Sequence, residues 1–158
     1  MKIKYPWFKP LLKNKEIKTS VAKVIKNNLM TMGEKTSELE KKLSKSLGVK
    51  YVILTTSGTS ALMMATLALN LKRQDKVLCP NLTWVATINP VRIIGSKIIL
   101  IDTQKNSEKI DYNLLNTAIK KNKPKIVFLV HLNGQVEYNK TFYYLKNKFK
   151  FKVIEDAA

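Results

Sequence analysis

The chain has 158 residues, 45% of them hydrophobic, and a formal net charge of +18. This composition excludes an intrinsically disordered chain, and no apolar run approaches the ~20 residues that a transmembrane helix needs. The sequence shows neither a secretory signal nor a disulfide framework, since its start lacks an apolar segment and Cys79 is the only cysteine. We therefore expect a cytoplasmic protein with no membrane partner.

The positive charge raises the possibility of a nucleic-acid-binding domain, because phosphate backbones attract basic side chains. Among the 29 basic residues, however, only Arg73 and Arg92 are arginines, and specific readers of nucleic acid use the bidentate guanidinium. A solvated lysine-rich surface is therefore the favoured interpretation. A basic nucleic-acid-binding domain is the less favoured alternative. Nucleic-acid binding that weakens steeply as the salt concentration rises would favour it.

Five short β-branched or aliphatic runs predict strands that are buried on both faces, because the runs are continuous rather than alternating. These runs are residues 51–55, 77–79, 98–101, 126–130 and 151–154. Helical periodicity or uniformly apolar stretches predict helices over residues 16–28, 34–47, 60–71, 84–94, 112–121 and 140–148. The alternation predicts an α/β fold with three layers, α/β/α, around a mostly parallel sheet.

No linker or low-complexity segment divides the chain, so the sequence predicts a single domain. Residues 1–32 are expected to form an N-terminal arm or lead-in helix, and residues 33–158 the α/β body. The chain stops two residues after Asp156, directly behind a predicted core strand. Because domain boundaries rarely fall there, we expect the domain to be the incomplete N-terminal part of a longer protein.

Small polar or aromatic side chains follow the predicted strands, at the edge where parallel sheets bind ligands. Residues 55–60, Thr-Thr-Ser-Gly-Thr-Ser, lead into a helix after the first strand, and Trp84, Asp102, His131 and Asp156 follow the others. A helix N-terminus with nearby hydroxyls suits a phosphate group. An ordinary Ser/Thr helix cap is an equally good interpretation of the same segment.

Taken singly, these residues carry little functional information. Trp84 is more often a core residue than a cofactor platform, and Asp156 can be a helix cap or an ion-pair partner. His131 is more often structural than catalytic, and Cys79 at the end of a buried strand suits inert packing. The 55–60 segment matches neither a Walker loop nor a dinucleotide-binding fingerprint.

Taken together, the segments resemble the DegT/StrS-type sugar aminotransferases, pyridoxal-phosphate (PLP) enzymes of fold type I. The resemblance covers nearly the whole chain, and its motifs occur in family order. They are Gly33 and residues 38–40, 47–51, 57–62, 80–87, 95, 101–102, 110–111, 130–135 and 154–158.

The resemblance implies roles for five residues. Gly58, Thr59 and Ser60 would hold the PLP phosphate, Trp84 would stack on the pyridine ring, and Asp156 would face the pyridine nitrogen. A carboxylate there keeps the ring protonated, and the protonated ring is the electron sink on which the chemistry depends. No metal site is expected.

The resemblance also implies an activity and an assembly. The enzyme would transfer an amino group from an amino acid, glutamate in our hypothesis, to a keto-sugar nucleotide for surface polysaccharide or glycoside biosynthesis. It would act as a homodimer. One alternative is a sugar 3-dehydratase of the same family, in which His replaces the Schiff-base lysine, and another is a catalytically inactive fragment.

The Schiff-base lysine of the family would lie a few tens of residues beyond Asp156, and none of the lysines present falls in the matching motif. We therefore expect the 158 residues to be inactive alone. The same missing segment would decide between transamination and dehydration.

Overall fold

The computed structural model describes residues 14–28, 30–137 and 139–158. Residues 1–13 of the predicted arm lie outside the described residues. The described chain forms two compact units, which divide between Leu54 and Thr55. No helix within the described ranges is long and apolar enough to cross a membrane.

From residue 14 onward, where it is described, the first unit contains two helices, α1 (Asn14–Lys26) and α2 (Glu34–Leu47). Both helices were predicted, and the bounds of α2 agree with the prediction. Gly48 ends α2 with a φ of +65°, and its N–H bonds to the Ser44 carbonyl. This left-handed conformation costs glycine no Cβ clash, which explains where the helix stops.

The strand predicted over residues 51–55 is wrong. The segment is irregular in the structure, and the backbone N–H of Leu54 bonds to the Glu40 carboxylate at 3.0 Å. Tyr51 and Ile53 are 75% and 67% exposed. A strand exists only through hydrogen bonds to a neighbouring strand, and this apolar run has no such partner among the described residues.

Residues 55–137 and 139–158 of the second unit form four strands and four α-helices in alternation. They are α3 (Gly58–Ala68), β1 (Lys76–Pro80), α4 (Val85–Ile94), β2 (Lys97–Ile101), α5 (Tyr112–Asn122), β3 (Ile126–Val130), α6 (Lys140–Phe149) and β4 (Lys152–Asp156). A short 3-10 turn, Leu132–Gly134, follows β3. All neighbouring strands are parallel, in the order β2-β1-β3-β4.

Alternate residues of the central strands pack on opposite faces of the sheet. Val77 and Cys79 of β1 pack in one apolar cluster with α3 and α4. Leu78 belongs to a second cluster, formed with α5 and α6. All three side chains are at most 1% exposed, as expected for a strand covered on both faces. The structure therefore confirms the three-layer α/β/α fold.

The strand order creates a crevice at the carboxyl edge of the sheet. The chain leaves β1 to form β2 on one side, whereas β3 pairs with β1 on the other side. Connections that diverge from two adjacent parallel strands open a gap above their carboxyl ends, and ligands of doubly wound sheets bind in that gap.

At the opposite edge, an ion pair joins the residues that precede β1 and β3. The Asp75 carboxylate lies 2.8 Å from Lys125 Nζ, and the side chains are 20% and 33% exposed. The hydrogen bond from Lys125 lowers the pKa of Asp75, and the Lys72 N–H adds to the effect. The folded state therefore binds the Asp75 proton less tightly than the unfolded chain does.

We expect Asp75→Asn to reduce the acid sensitivity of folding. A lowered folded-state pKa stabilises the fold above the unfolded value of about 4, and this contribution is lost as the pH falls through the folded pKa. For a partly exposed pair the loss is about 1 kcal/mol or less. Urea unfolding at pH 6 and pH 3 measures it, with the exposed Asp102→Asn as the control. An equal pH dependence for wild type and Asp75→Asn would contradict the assignment.

Candidate functional site

A cavity of about 300 Å³ lies at the carboxyl ends of β1, β3 and β4. The structure brings to its wall four of the five residues to which the resemblance assigned a role, Gly58, Thr59, Trp84 and Asp156. Its lining includes Gly58, Thr59, Thr83, Trp84, His131, Leu132, Asp156 and Ala158. The volume suits a small organic ligand at the lower end of the usual range for such pockets.

The first turn of α3 supplies backbone donors to this cavity. Ser57 caps the helix, and its Oγ accepts the Ser60 N–H at 3.1 Å. The N–H groups of Gly58 and Thr59 precede the first intrahelical bond and have no acceptor among the described residues. Two free donors at the positive end of a helix dipole form an anion-binding surface.

Ser60 does not line the cavity. Its N–H is committed to Ser57, and its hydroxyl lies 3.0 Å from Ser57 Oγ and 3.2 Å from Thr56 Oγ1. The helix-cap interpretation of the segment is confirmed by Ser57, while Gly58 and Thr59 line the cavity and the phosphate interpretation stays a prediction. In this geometry Ser60 supports the turn, and its predicted phosphate contact stays a prediction.

Gly58 and Ala158 approach each other closely at the cavity wall. A Cβ built on Gly58 would lie 3.2 Å from the Cβ of Ala158. That separation is shorter than ordinary van der Waals contact. Glycine at position 58 therefore lets the α3 N-terminus pack against the residues that follow β4.

Trp84 lies directly before α4 and is 75% exposed. The interpretation of Trp84 as a buried core residue is therefore wrong. An aromatic ring at the mouth of a cavity, with most of its surface open, is available to stack on a planar ligand.

Asp156 is the last residue of β4, and it is 8% exposed. Its Oδ2 accepts a hydrogen bond of 2.6 Å from Thr87 Oγ1. Within the part of the chain that the structure describes, its Oδ1 accepts only a long bond of 3.3 Å, from the Ala158 N–H. A carboxylate oxygen accepts about two hydrogen bonds, so Oδ1 retains capacity for a ligand in the cavity.

Cys79 lies in β1 and is 1% exposed. Burial, with a smaller contribution from the negative charge of Asp156, raises the pKa of the Cys79 thiol to about 12. The thiolate is the reactive form of cysteine, and at neutral pH this side chain is the thiol. The expectation of inert packing agrees with this environment.

His131 lines the cavity, but both of its ring nitrogens are engaged by the protein. Nδ1 accepts the backbone N–H of Glu137 at 3.0 Å, and Nε2 lies 3.2 Å from Glu155 Oε2. An accepting Nδ1 places the proton of the neutral ring on Nε2, facing the carboxylate. The arrangement fixes the ring as part of the wall, in agreement with a structural role.

Two carboxylates fasten the loop that carries His131. Glu137 is 6% exposed and accepts hydrogen bonds from the Ile110 N–H at 3.2 Å and the Tyr112 hydroxyl at 2.9 Å. Burial and the Glu137 carboxylate raise the pKa of Tyr112, so the phenol remains a donor. Glu108 accepts from the side-chain amides of Asn133 and Gln135 at 3.1 and 3.2 Å.

Sequence reasoning gave no role to Thr83, Thr87 or Glu137. Thr83 and Thr87 lie four residues apart across the start of α4, and the i,i+4 spacing, which brings side chains together on a helix, was a usable signal. Glu137 carried no local signal, because its partner Ile110 lies 27 residues away in sequence.

A family model described as the DegT/DnrJ/EryC1/StrS aminotransferase family matches residues 12–158. This match confirms the resemblance carried by the motifs. A curated relative from Shewanella sediminis, named UDP-4-amino-4-deoxy-L-arabinose–oxoglutarate aminotransferase, is 29% identical over 97% of this chain and 39% of its own length. A Pseudomonas aeruginosa relative, UDP-2-acetamido-2-deoxy-3-oxo-D-glucuronate aminotransferase, is 32% identical over 90% of this chain and 40% of its own.

Among solved structures, the chain is similar to the E. coli GDP-4-keto-6-deoxy-D-mannose-3-dehydratase with bound hydrated PLP. The TM-score is 0.89 at 25% identity, over 99% of this chain and 41% of that one. The chain thus spans about two fifths of the length of the relatives it matches.

Proposed function

Because the chain belongs to the DegT/DnrJ/EryC1/StrS aminotransferase family, we propose that it forms the cofactor-binding part of a PLP-dependent sugar aminotransferase. The enzyme transfers an amino group from an amino acid to a keto-sugar nucleotide. The observation that carries the proposal is the convergence of the α3 N-terminus, Trp84 and Asp156 on one cavity. Glutamate is the proposed donor, supported by the oxoglutarate in the name of the Shewanella relative.

The residues present fit PLP on three counts. The free N–H groups of Gly58 and Thr59 suit a phosphate, the exposed face of Trp84 suits a planar ring, and the unfilled Oδ1 of Asp156 suits a protonated ring nitrogen. When bound, the cofactor supplies an electron sink for carbanion chemistry. The protein residues bind its phosphate, fix the tilt of its ring and hold a proton at its nitrogen.

The test uses 4-deoxypyridoxine 5′-phosphate, an analogue in which a methyl group replaces the aldehyde, so that surface lysines cannot react with it. We expect saturable binding of one molecule per chain in a fluorescence titration. The same analogue without its phosphate should bind much more weakly, because the α3 donors then have no anion to hold. Non-saturable binding, or equal affinity for the two compounds, would contradict the proposed site.

Replacing Trp84 with Ala is expected to weaken analogue binding about 3- to 10-fold, because stacked aromatic pairs contribute about 0.5–1.5 kcal/mol beyond burial. Trp84→Phe should recover most of the affinity. Tyr144, an exposed aromatic residue of α6, provides the control, and Tyr144→Ala should leave binding unchanged. Equal affinities of wild type and Trp84→Ala for the analogue would contradict the proposal that Trp84 stacks on the ring.

A sugar 3-dehydratase is the second candidate, favoured by the similarity to the E. coli dehydratase. Both activities would use the same cavity, so analogue binding does not separate them. An assay of the complete enzyme does, since a transaminase consumes glutamate in proportion to aminated sugar, whereas a dehydratase releases a deoxy sugar. The 158 residues alone are proposed to bind the cofactor without turnover, as none of their lysines matches the family motif.

The proposal includes a cytoplasmic homodimer that serves polysaccharide or glycoside biosynthesis. The homodimer is supported by an apolar face of α3 on which Met64 and Leu67 are 42% and 57% exposed. The biosynthetic role is supported by the UDP-sugars in the names of the two curated relatives. Sedimentation of the complete enzyme as a monomer at micromolar concentration would contradict the dimer.

A further inference from the structure

The geometry points to Thr87 as a positioning residue: we propose that its hydroxyl, backed by Thr83, fixes the Asp156 carboxylate against the cavity. The inference rests on the proposed cofactor site and extends it to a residue that does not itself reach the cavity. Thr87 is the third residue of α4 and is fully buried, at 0% exposure. It can therefore affect a bound ligand only through neighbours that line the cavity, and its hydroxyl contacts two of them, Thr83 and Asp156.

The contact is short and chemically directional. Thr87 Oγ1 lies 2.6 Å from Asp156 Oδ2, within the range of a hydrogen bond from a hydroxyl to a charged oxygen. An ionised carboxylate only accepts, so the single hydroxyl proton of Thr87 goes to Asp156. Thr83 Oγ1, 2.8 Å from Thr87 Oγ1, must then donate to Thr87.

The result is a chain of donors that runs from Thr83 through Thr87 to Asp156. Hydrogen bonds in series polarise one another, so the second hydroxyl strengthens the first bond. The chain occupies Oδ2 and leaves Oδ1 for a ligand, with only the 3.3 Å contact from the Ala158 N–H. Because Trp84 directly follows Thr83, this series of hydrogen bonds also holds the Asp156 carboxylate at a fixed place relative to the Trp84 ring.

A purely structural role for Thr87 makes a different prediction. If the side chain only fills space between α4 and the sheet, valine, which has nearly the same shape, should replace it without effect on the ligand. If the hydroxyl positions the carboxylate, valine leaves Oδ2 buried without a donor, and the carboxylate turns away from its place beside the cavity. This turn weakens its hold on a protonated ring nitrogen.

The experiment compares Thr87→Val and Thr87→Ser with a matched control, Thr66→Val. Thr66 is also a fully buried helical threonine, but its hydroxyl bonds to the Leu62 carbonyl in its own helix. Two quantities are measured: the affinity for 4-deoxypyridoxine 5′-phosphate, and the pH at which the bound analogue loses its ring proton, read from its absorbance. The second quantity reports on the charge, hydrogen bonding and solvation beside the ring nitrogen.

We expect Thr87→Val to weaken binding about ten-fold, the effect of losing one hydrogen bond to a charged group, and to move the ring deprotonation to lower pH. Thr87→Ser should restore both, and Thr66→Val should change neither. In the described ranges, the titratable groups near Asp156 are Cys79 and the His131–Glu155 pair, and burial raises the pKa of Cys79 to about 12. The titration is therefore repeated with His131→Gln.

The outcomes separate the inference from the proposed function. If Asp156→Asn weakens binding while Thr87→Val does not, Thr87 has no positioning role and the cofactor site stands. If binding does not depend on Asp156, both are overturned. Should Thr87→Val fail to fold, the pair Thr87→Ser and Thr87→Ala isolates the hydroxyl, and equal affinities for that pair would overturn the inference.

Discussion

Replacing Asp156 with Asn is expected to lower the affinity for 4-deoxypyridoxine 5′-phosphate by about 10- to 100-fold. A hydrogen bond to a charged group contributes about 1.5–3 kcal/mol, and each 1.4 kcal/mol is a factor of ten. The Asn side chain keeps the size of Asp156 and can still accept from Thr87, but it has no charge to hold a protonated ring. The measurement is the dissociation constant from a fluorescence titration at neutral pH.

Asp102→Asn is the matched control for this effect. Asp102 also directly follows a strand, β2, but it is exposed, and its Oδ1 accepts the N–H of the next residue, Thr103, at 2.9 Å. Asn forms such turns nearly as well as Asp, so affinity and thermal stability should stay at wild-type values. Asp156→Asn retaining more than about half of the wild-type affinity while folded would overturn the assignment of the ring nitrogen.

In the complete enzyme, the same substitution should reduce kcat by at least ~100-fold, about 2.7 kcal/mol in activation free energy. The loss exceeds the loss in binding, because the protonated ring is needed most when carbanion charge develops. A kcat of Asp156→Asn close to that of Asp102→Asn, with the cofactor saturating, would contradict this role.

The sequence was sufficient to predict the sheet and the edge that carries the site. β1 and β3 are buried on both faces, so all of their residues except Lys76, the first residue of β1, are apolar, and the pattern is unambiguous without knowledge of their neighbours. The carboxyl ends of parallel strands meet at one edge by geometry alone. Asp156 and Trp84 could therefore be assigned to one site before any distance was known.

The wrong strand at 51–55 shows the limit of that reasoning. Its apolar run has the same composition as a buried strand, but strand formation depends on a partner that local sequence does not reveal. The same applies to Thr87, whose partner Asp156 is 69 residues away. Local patterns report burial and helix phase, whereas hydrogen bonds between distant segments follow from the assembled fold.

Glu137 is the clearest case of such a bond with consequences for the site. Its carboxylate joins the loop after β3 to the start of α5, and its backbone N–H holds the ring of His131. Since His131 and Leu132 form part of the cavity wall, the position of that wall depends on a buried acidic side chain.

We expect Glu137→Ala to destabilise the fold by about 3 kcal/mol and to weaken analogue binding. The substitution leaves the Ile110 N–H and the Tyr112 hydroxyl without an acceptor, and each buried unsatisfied group costs about 1–3 kcal/mol. Glu137→Gln keeps one carboxamide oxygen as an acceptor, so its loss should be about half as large. Urea unfolding followed by circular dichroism measures the free energy, and the fluorescence titration measures binding.

Glu108→Ala provides the comparison, because Glu108 joins the same two loops through hydrogen bonds that lie at the surface. Water replaces a surface acceptor at little cost, so the expected change is within about 0.5 kcal/mol. Equal losses for Glu137→Ala and Glu108→Ala would show that burial of the Glu137 carboxylate is not what stabilises the loop. If Glu137→Ala loses stability and yet binds the analogue as tightly as wild type below the unfolding transition, the hydrogen bonds of the loop do not set the position of the cavity wall. The expected result for Glu137→Ala is that stability and analogue affinity fall together, because the bonds that satisfy Ile110 and Tyr112 also fix the backbone that holds His131.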